Sequence, residues 1–295
     1  MKNCCPLCTS SRVVKKERFT KMLNLQGNCD SEVFICQVCD ARYLFPYISN
    51  EQLERLYGKS YFTVVYDEDS SLDIPSSNSD YENEFAAVRL SKFETTVNLL
   101  LSQFPGAKHI LDIGAATGDF LALARKQGLL VSGIELSSYA AAKAKDKYGF
   151  VFHKTSILEY QGKEKYDLIH MNHVFEHFEF PHQALSRISD LLNPNGLVYV
   201  EVPFQFNLLE VIKYQITGRA KIFDVFSLHH PIFYTPATLR KVFDEHGFTC
   251  THFKVFDWSR YPAQNMGLKL KKIIWFIASL FRQGVMIEAI FQKKS

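Results

Sequence analysis

The stretch that decides the fold is Leu111 to Phe120, with the sequence LDIGAATGDF. It combines the end of an apolar strand, a turn with two glycines and the start of a helix. Gly114 and Gly118 permit close approach of the backbone to a ligand, and Asp112 places a carboxylate at the strand end. A pyrophosphate loop prefers G-x-G-x-x-G, whereas this pattern is D-x-G-x-x-x-G, with an acid that would repel phosphate. We therefore expect a ligand that carries a cationic amine.

A second acid, Glu135, follows the next apolar stretch. In nucleotide-binding folds an acid at this point accepts hydrogen bonds from the two ribose hydroxyls. The alternative interpretation is that the glycines only stabilise a turn and that Glu135 is a solvated residue at the sheet edge. The order of acid, glycine turn and second acid favours a ligand with a ribose.

Around this stretch the chain alternates apolar strands with helices, which predicts an α/β fold with a doubly wound, mostly parallel sheet of seven strands. The predicted strands are His109 to Ile113, Leu129 to Ile134, Phe150 to His153, Tyr166 to Met171, Leu197 to Val202, Phe248 to Phe256 and Val285 to Gln292. The predicted helices are Glu84 to Phe104, Asp119 to Gln127, Ser138 to Tyr148, His182 to Leu192 and Pro236 to His246. Ligands of such sheets bind beyond the carboxyl ends of the strands.

Six of the seven cysteines lie within the first 39 residues, and four of them form two C-x-x-C pairs. These pairs are Cys5 with Cys8 and Cys36 with Cys39. Tandem pairs of this kind predict a closed tetrahedral zinc site with a structural role, in a small zinc ribbon over residues 1–50. Coincidental buried cysteines or a redox pair are the alternatives. Cys4 and Cys29 are expected to be bystanders.

Composition and charge narrow the class of partner. The 295 residues are 47% hydrophobic and 22% charged, as in a folded globular protein. The net charge of +3 is uneven, because residues 51–261 carry 21 basic and 26 acidic side chains. This acidic middle disfavours nucleic acid as substrate. The chain shows no spanning apolar run and no secretion signal, so we expect a cytoplasmic protein.

Three motifs give the chain a resemblance to class I S-adenosylmethionine-dependent methyltransferases, which have a Rossmann-like sheet. They are the turn after Asp112, the segment HVFEH at 173–177 and the turn LNPNGLV at 192–198. The cysteine pairs and YGKSYF at 57–62 resemble a zinc-ribbon subgroup from bacterial sugar and polysaccharide pathways. The resemblance implies three parts, namely the ribbon, a connector over 51–83 and a methyltransferase domain over 84–295.

The resemblance also implies which residues contact S-adenosyl-L-methionine. Asp112 and the turn with Gly114, Ala115 and Gly118 would hold the methionine part. Glu135 with Leu136 would hold the ribose, Ser156 and Ile157 the adenine, and Asn172 would close over the cofactor. Ala116 replaces a glycine often found in this turn, and Ser156 stands where many relatives carry an aspartate.

Methyl transfer to a hydroxyl needs a base that removes its proton. Four histidines fall near expected strand ends, namely His173, His177, His229 and His230. His230 takes the position of a catalytic histidine in sugar methyltransferases, whereas His173 and His177 are equally explained as packing residues. Because His229 replaces an acid found in carbon-methylating relatives, O-methylation is favoured.

An aromatic-rich insertion over 203–235 is expected to form the acceptor pocket, since aromatic faces suit the apolar side of a sugar ring. Its aromatic residues are Phe204, Phe206, Tyr214, Phe223, Phe226, Phe233 and Tyr234. An ordinary core under a lid is the alternative. The leading hypothesis is therefore methyl transfer to a hydroxyl of a sugar, nucleotide sugar or glycan. An RNA-directed methyltransferase that uses the ribbon as a reader, and a cofactor-binding protein without turnover, are the competing hypotheses.

The basic segment 268–281 is apolar around most of a helix, with Lys269 and Lys272 on one face. Such a helix can lie at an anionic membrane surface, which would suit an enzyme that modifies a lipid-linked glycan. The alternative is a helix that packs on the sheet before the last strand.

Overall fold

The computed structural model describes residues 4–22, 31–47, 79–218, 230–256 and 284–294. His229, Cys29, Phe223, Phe226, the segment 268–281 and most of the connector lie outside these residues. Within the described residues, no helix combines the length and apolar character needed to cross a membrane.

The described residues form ten β strands, seven α helices and one 3-10 turn. The strands are β1 (Val13–Lys15), β2 (Glu32–Cys36), β3 (Arg42–Phe45), β4 (His109–Ile113), β5 (Leu130–Ile134), β6 (Tyr166–Asn172), β7 (Leu192–Pro203), β8 (Ile232–Phe233), β9 (Phe248–Phe256) and β10 (Met286–Lys293). The helices are α1 (Glu17–Met22), α2 (Ser79–Gln103), α3 (Asp119–Lys126), α4 (Ser138–Tyr148), α5 (Pro181–Leu191), α6 (Leu208–Thr217) and α7 (Pro236–Glu245). A 3-10 turn spans Phe175–His177.

The main sheet has the strand order β5-β4-β6-β7-β10-β9. Strand β4 pairs in parallel with β5 and with β6, whereas β10 and β9 are antiparallel. The predicted α/β fold with a mostly parallel central sheet is therefore confirmed. The apolar side chains of β4 and β6, such as Ile110 and Leu168, are buried, as expected for central strands that are covered on both faces.

The strand predicted over Phe150 to His153 is wrong. Only His153 pairs with β5, through a single bridge to Ile134, so the described residues contain six strands of this sheet. The aromatic side chains that suggested a strand have another role. A Cβ atom on Gly133 would lie 2.5 Å from the Phe152 ring, and one on Gly118 would lie 2.9 Å from Phe150. The two rings thus fill space that the glycines leave open.

The other predicted elements are present, most of them with ends shifted by one residue. Two starts are wrong by five residues: α2 begins at Ser79, and β7 begins at Leu192, so the turn predicted over LNPNG is part of that strand. Helix α4 and strand β9 have the predicted bounds, and α4 begins at a Ser137 side chain that accepts a hydrogen bond from Ala140 N. Helix α7 is preceded by Thr235, which forms a capping box with Thr238. Such caps satisfy backbone N–H groups that have no partner within the helix.

The described chain divides into two compact units. The first comprises Met1–Ile48, Met171–Ser189 and Val198–Ser295, and the second comprises Ser49–His170 and Asp190–Leu197. In the first unit, β1, β2, β3 and β8 form a four-stranded sheet. Its core contains Val33, Leu44, Phe206 and Phe233. The N-terminal segment therefore shares a hydrophobic core with residues from the middle of the chain.

Candidate functional site

The turn between β4 and α3, in the second unit, has the backbone that its glycines predict. Gly114 and Gly118 have φ angles of 77° and 79°, a region that costs glycine little. Gly114 N donates a hydrogen bond to Ile134 O at 2.8 Å, and Gly118 N donates to Ala115 O at 2.9 Å. Ala116 also has a positive φ, 46°. The alanine that replaces a glycine here therefore adopts the same left-handed backbone, at some conformational cost.

Glu135 holds this turn together. Its Oε2 accepts a hydrogen bond from Ala116 N at 2.8 Å, and its Oε1 accepts one from Ser137 N at 2.7 Å. Burial raises the pKa of Glu135, the two N–H donors lower it, and the nearby charge of Asp112 raises it, with a net upward shift. Each carboxylate oxygen still has a lone pair for a ligand hydroxyl. Glu135 can therefore shape the turn and bind a ribose together.

Asp112 is paired with a residue that the sequence analysis did not select. Its Oδ1 lies 2.7 Å from Nδ1 of His170, and both side chains are buried. The two residues are direct partners in the parallel register of β4 and β6. Phe120, at the start of α3, stacks on the His170 ring with centroids 3.5 Å apart. The register between neighbouring strands was the signal that could have found His170.

The remaining residues expected at the cofactor lie in different surroundings. Leu136, next to Glu135, is 65% exposed, while Ile157 is buried. Ser156 begins a turn in which its Oγ accepts a hydrogen bond from Glu159 N at 3.2 Å. Asn172 is the half-buried last residue of β6. An exposed leucine beside Glu135 is the type of side chain that can cover a planar base.

Asp119, the first residue of α3, was also missed. Its carboxylate accepts hydrogen bonds from Arg89 at 2.8 Å, Lys147 at 2.8 Å, Tyr148 at 2.6 Å and Thr117 at 3.2 Å. Burial alone would raise the pKa of Asp119, but these donors and the two cations hold it below its ordinary value. The acid also lies at a helix N-terminus, where negative charge is stabilised.

Three of the four predicted histidines meet in the first unit, around Glu176. His173 Nδ1 lies 3.5 Å from Glu176 Oε1, and His230 Nε2 lies 4.0 Å from the same oxygen. The rings of His177 and His230 have centroids 4.8 Å apart. Glu176, which was quoted only as part of the HVFEH motif, is 1% exposed. His229 lies outside the described residues.

His173 differs from the other two histidines in backbone and exposure. Its φ is 55°, which is rare for a residue other than glycine and is often found at functional sites. Its backbone N–H donates to Glu201 O at 2.9 Å, and Glu201 Oε1 lies 3.9 Å from its Nε2. Its side chain is 40% exposed, whereas that of His230 is 11% exposed. His173 is thus the most accessible described histidine of the cluster.

The aromatic residues of the expected acceptor pocket are mostly part of the core. Phe204, Phe206, Phe233 and Tyr234 are at most 7% exposed. Phe206 stacks on Phe19 with centroids 4.2 Å apart, and Tyr234 stacks on Phe175 at 5.1 Å. For these four side chains the structure favours core packing, the alternative left open by the sequence.

The four predicted cysteines lie together, with all Sγ atoms within 4.8 Å of one another. Cys5 and Cys39 are 3.5 Å apart at sulfur, as are Cys8 and Cys36. The two C-x-x-C turns share one backbone shape, because Thr9 N donates to Cys5 O and Asp40 N donates to Cys36 O. Thr9 and Asp40 have φ angles of 58° and 59°. Four sulfurs at 2.3 Å from one ion would be about 3.8 Å apart, so the cluster fits a tetrahedral ion.

A methyltransferase fold is defined by the strand order of the main sheet, the glycine turn after Asp112 and the second acid, Glu135. The chain belongs to the methyltransferase family. A family model described as Methyltransferase domain matches residues 85–253. A protein of Geobacillus sp. (strain WCH70) that is named as a methyltransferase is 34% identical over 107 residues, which cover 33% of this chain and 43% of that protein. The C-methyltransferase NovU of Streptomyces niveus is 28% identical over 145 residues, or 47% of this chain and 32% of NovU. The matched segments therefore span less than half the length of these relatives.

Solved structures show the same fold. Magnesium protoporphyrin IX methyltransferase from Synechocystis PCC 6803, solved with bound SAH, aligns with a TM-score of 0.56 and 12% identity over 83% of this chain and 100% of that chain. A Listeria monocytogenes protein named as an S-adenosylmethionine-dependent methyltransferase aligns with a TM-score of 0.51 and 16% identity, over 70% of this chain and 100% of that chain. These structures confirm the predicted fold, and the family model confirms the predicted family.

The Asp119 cluster generates a prediction for acid stability. Because the pKa of Asp119 is lowered in the folded protein, its contribution to stability is complete above the ordinary carboxyl pKa and is lost as the pH falls below about 4 to 5. Asp119→Asn should reduce the free energy of unfolding at pH 7 and flatten its decline in acid. Urea unfolding at several pH values measures both effects.

The exposed Asp146 of helix α4 provides the control. Asp146→Asn should keep the stability and the acid dependence of the parent protein. If Asp119→Asn declines in acid as steeply as the parent, the low pKa assigned to Asp119 is wrong.

Proposed function

We propose that this protein transfers the methyl group of S-adenosylmethionine to a hydroxyl of a small acceptor, a sugar, nucleotide sugar or glycan. The observation that carries the proposal is the closed turn of the second unit, in which Glu135 accepts hydrogen bonds from Ala116 and Ser137. When bound, the cofactor supplies a methyl group on a sulfonium that is already activated. The protein then has to bind, orient and remove one proton.

In this proposal Asp112 and the turn bind the amino-acid part of the cofactor, and Glu135 binds its ribose. Asp112 is buried and its Oδ1 is held by His170, so its carboxylate has a fixed direction. A fixed carboxylate is suited to a cationic amine, because the charge of the acid repels phosphate and attracts the ammonium group. Leu136, Ser156, Ile157 and Asn172 are proposed contacts for the rest of the cofactor.

We expect Glu135→Ala to weaken the binding of S-adenosylmethionine by ~1.5–3 kcal/mol, the usual value of hydrogen bonds to a charged group. Loss of the two turn contacts adds to the loss of the ribose contacts. Isothermal titration calorimetry measures the affinity. Glu94→Ala, an exposed position on α2, is the matched control and should bind as the parent does. An affinity unchanged by Glu135→Ala would remove Glu135 from the site.

The accessible His173 is proposed as the base that takes the acceptor proton. Its ring lies between the carboxylates of Glu176 and Glu201, which stabilise the positive charge that the ring gains on protonation. His230, the first choice from the sequence, is buried and its Nδ1 is hydrogen-bonded to Gln205 at 2.8 Å. Exposure therefore supports His173 over His230 for contact with the acceptor.

His173→Gln should lower kcat/KM by ~10²–10⁴ and remove the acid limb of the pH–rate profile, since that limb reports protonation of the base. The affinity for S-adenosylmethionine should stay unchanged. The control is His109→Gln, at the first residue of β4. It should leave both the pH–rate profile and the affinity for S-adenosylmethionine unaffected. A pH profile retained by His173→Gln would assign the proton transfer to another residue.

The acceptor atom is decided by product analysis. The similarity of this chain to NovU, a C-methyltransferase by name, makes carbon methylation the second candidate. Mass spectrometry and NMR of the product of a panel of sugars and nucleotide sugars distinguish an O-methyl from a C-methyl group. An O-methyl product supports the proposal, and a C-methyl product replaces it with the second candidate.

The cluster of Cys5, Cys8, Cys36 and Cys39 is proposed to hold one structural Zn²⁺. Burial raises the pKa of Cys5, and it raises that of Cys39 to about 11. Without a cation, these buried sulfurs would resist carrying negative charge, and a zinc ion supplies the compensating charge. Four protein ligands leave no position for a reacting water, so the ion stabilises the fold.

Elemental analysis should find one zinc per chain at this cluster. Cys36→Ser should lose the zinc and lower the unfolding temperature, because binding of the ion is part of the folding free energy. Cys250→Ser, outside the cluster, should keep the zinc. A protein that carries no metal and retains its stability would contradict the proposal.

A further inference from the structure

Glu176 is a buried carboxylate whose charge is incompletely balanced. It is 1% exposed, and neither Oε1 nor Oε2 has a hydrogen-bond partner among the residues that the structure describes. His173 Nδ1 lies 3.5 Å from its Oε1, and His230 Nε2 lies 4.0 Å from the same oxygen. Burying a carboxylate without close donors is costly. A feature of this kind calls for a cation that completes the site.

The hydrogen bonding of His230 strengthens this argument. Its Nδ1 lies 2.8 Å from Gln205 Oε1, and an amide oxygen can only accept, so Nδ1 carries the hydrogen. In the neutral ring the lone pair is then on Nε2, the nitrogen that lies 4.0 Å from Glu176 Oε1. A lone pair and a carboxylate oxygen repel each other unless a positive charge lies between them.

His177 supplies a third donor atom. Its ring is 4.8 Å from that of His230 at an interplanar angle of 70°. One ligand atom from each of Glu176, His177 and His230 lies within 4.8 Å of the other two. Three atoms bound at about 2.1 Å to one ion are ~3.0–3.6 Å apart, so side-chain shifts of about 1 Å bring all three into range.

Tyr234 is a second buried polar group near Glu176. Its hydroxyl is buried and has no hydrogen-bond partner within residues 4–22, 31–47, 79–218, 230–256 and 284–294. Burial, and after it the charge of Glu176, raises the pKa of Tyr234 well above its ordinary value. Within the described residues the surroundings of Glu176 therefore include a neutral phenol and two imidazoles in addition to His173.

We infer that Glu176, His177 and His230 bind a divalent metal ion. Two imidazole nitrogens and one carboxylate oxygen suit ions such as Mn²⁺, Fe²⁺ or Zn²⁺ and leave coordination positions open. The open positions would take acceptor oxygens and lower the pKa of a bound hydroxyl, so that His173 removes its proton more readily. This last role rests on the proposed function, whereas binding of the ion does not.

Mn²⁺ is the probe, because it favours carboxylate and imidazole ligands and does not displace zinc from thiolates. The full-length, zinc-loaded protein is titrated with Mn²⁺, and the loss of the free-ion electron paramagnetic resonance signal gives stoichiometry and affinity. We expect one Mn²⁺ per chain. Electron spin echo modulation should show coupling to imidazole nitrogen.

Glu176→Gln should weaken Mn²⁺ binding at least about tenfold. Glu288→Gln is the matched control, a buried carboxylate of the same unit that accepts a hydrogen bond from Tyr199, and it should leave the affinity unchanged. His177→Gln, on the less buried member of the cluster, serves as the second variant if Glu176→Gln fails to fold. Calorimetry with S-adenosylhomocysteine checks the fold of each variant and the cofactor site separately.

The absence of Mn²⁺ binding, or Mn²⁺ binding without nitrogen coupling, overturns the inference. So does a Mn²⁺ affinity equal to that of the parent in folded Glu176→Gln or His177→Gln. In the first case His230 balances Glu176 as an imidazolium. If Mn²⁺ binds as expected but the protein methylates no acceptor, the metal site stands and the proposed reaction falls.

Discussion

The hydrogen bonds of the Glu135 carboxylate are the constraint on which the cofactor site depends. One oxygen accepts from Ala116, in the turn after β4, and the other accepts from Ser137, at the start of α4. A single buried acid thereby connects two strand exits of the second unit. Within the turn, Gly114 N and Gly118 N donate to backbone carbonyls and Ala116 N donates to Glu135, so the buried charge of Glu135 is compensated by the backbone dipoles of Ala116 and Ser137.

The same unit holds a second pair whose direction is set by the sheet. Asp112 and His170 are opposite each other because β4 and β6 run parallel in that register, and Phe120 covers the imidazole. Strand pairing therefore fixes the orientation of the acid before any ligand binds. Preorganisation of this kind reduces the entropy that binding has to overcome.

The buried Glu176 of the first unit has different surroundings from those of Glu135. Glu135 accepts hydrogen bonds from two backbone N–H groups, whereas the described part of the chain offers Glu176 no hydrogen-bond partner and only imidazole nitrogens at 3.5 Å and 4.0 Å. A carboxylate that accepts short hydrogen bonds has its charge compensated and serves a structural role. A carboxylate without them retains its capacity to attract a proton or an ion, which is the usual condition of a group with a chemical role.

The sequence alone determined the α/β class, the approximate positions of most strands and helices, the turn after Asp112 and the pairing of the two C-x-x-C motifs. These features follow from periodicity, glycine placement and short spacing, which are local properties of the chain. It did not determine that Phe150 to His153 forms one bridge in place of a strand, because that depends on the space above Gly118 and Gly133.

Tertiary structure alone decided the partners of the charged groups. His170 pairs with Asp112, 58 positions away in the sequence. Asp119 pairs with Arg89 and Lys147, which are 30 and 28 positions away. His230 lies near Glu176 although the two residues are far apart in the sequence. It also placed the aromatic residues of 203–235 mainly in the core. Sequence patterns report which face of an element is apolar, but the neighbour of a buried charge is set by strand register and long-range packing, which no local spacing encodes.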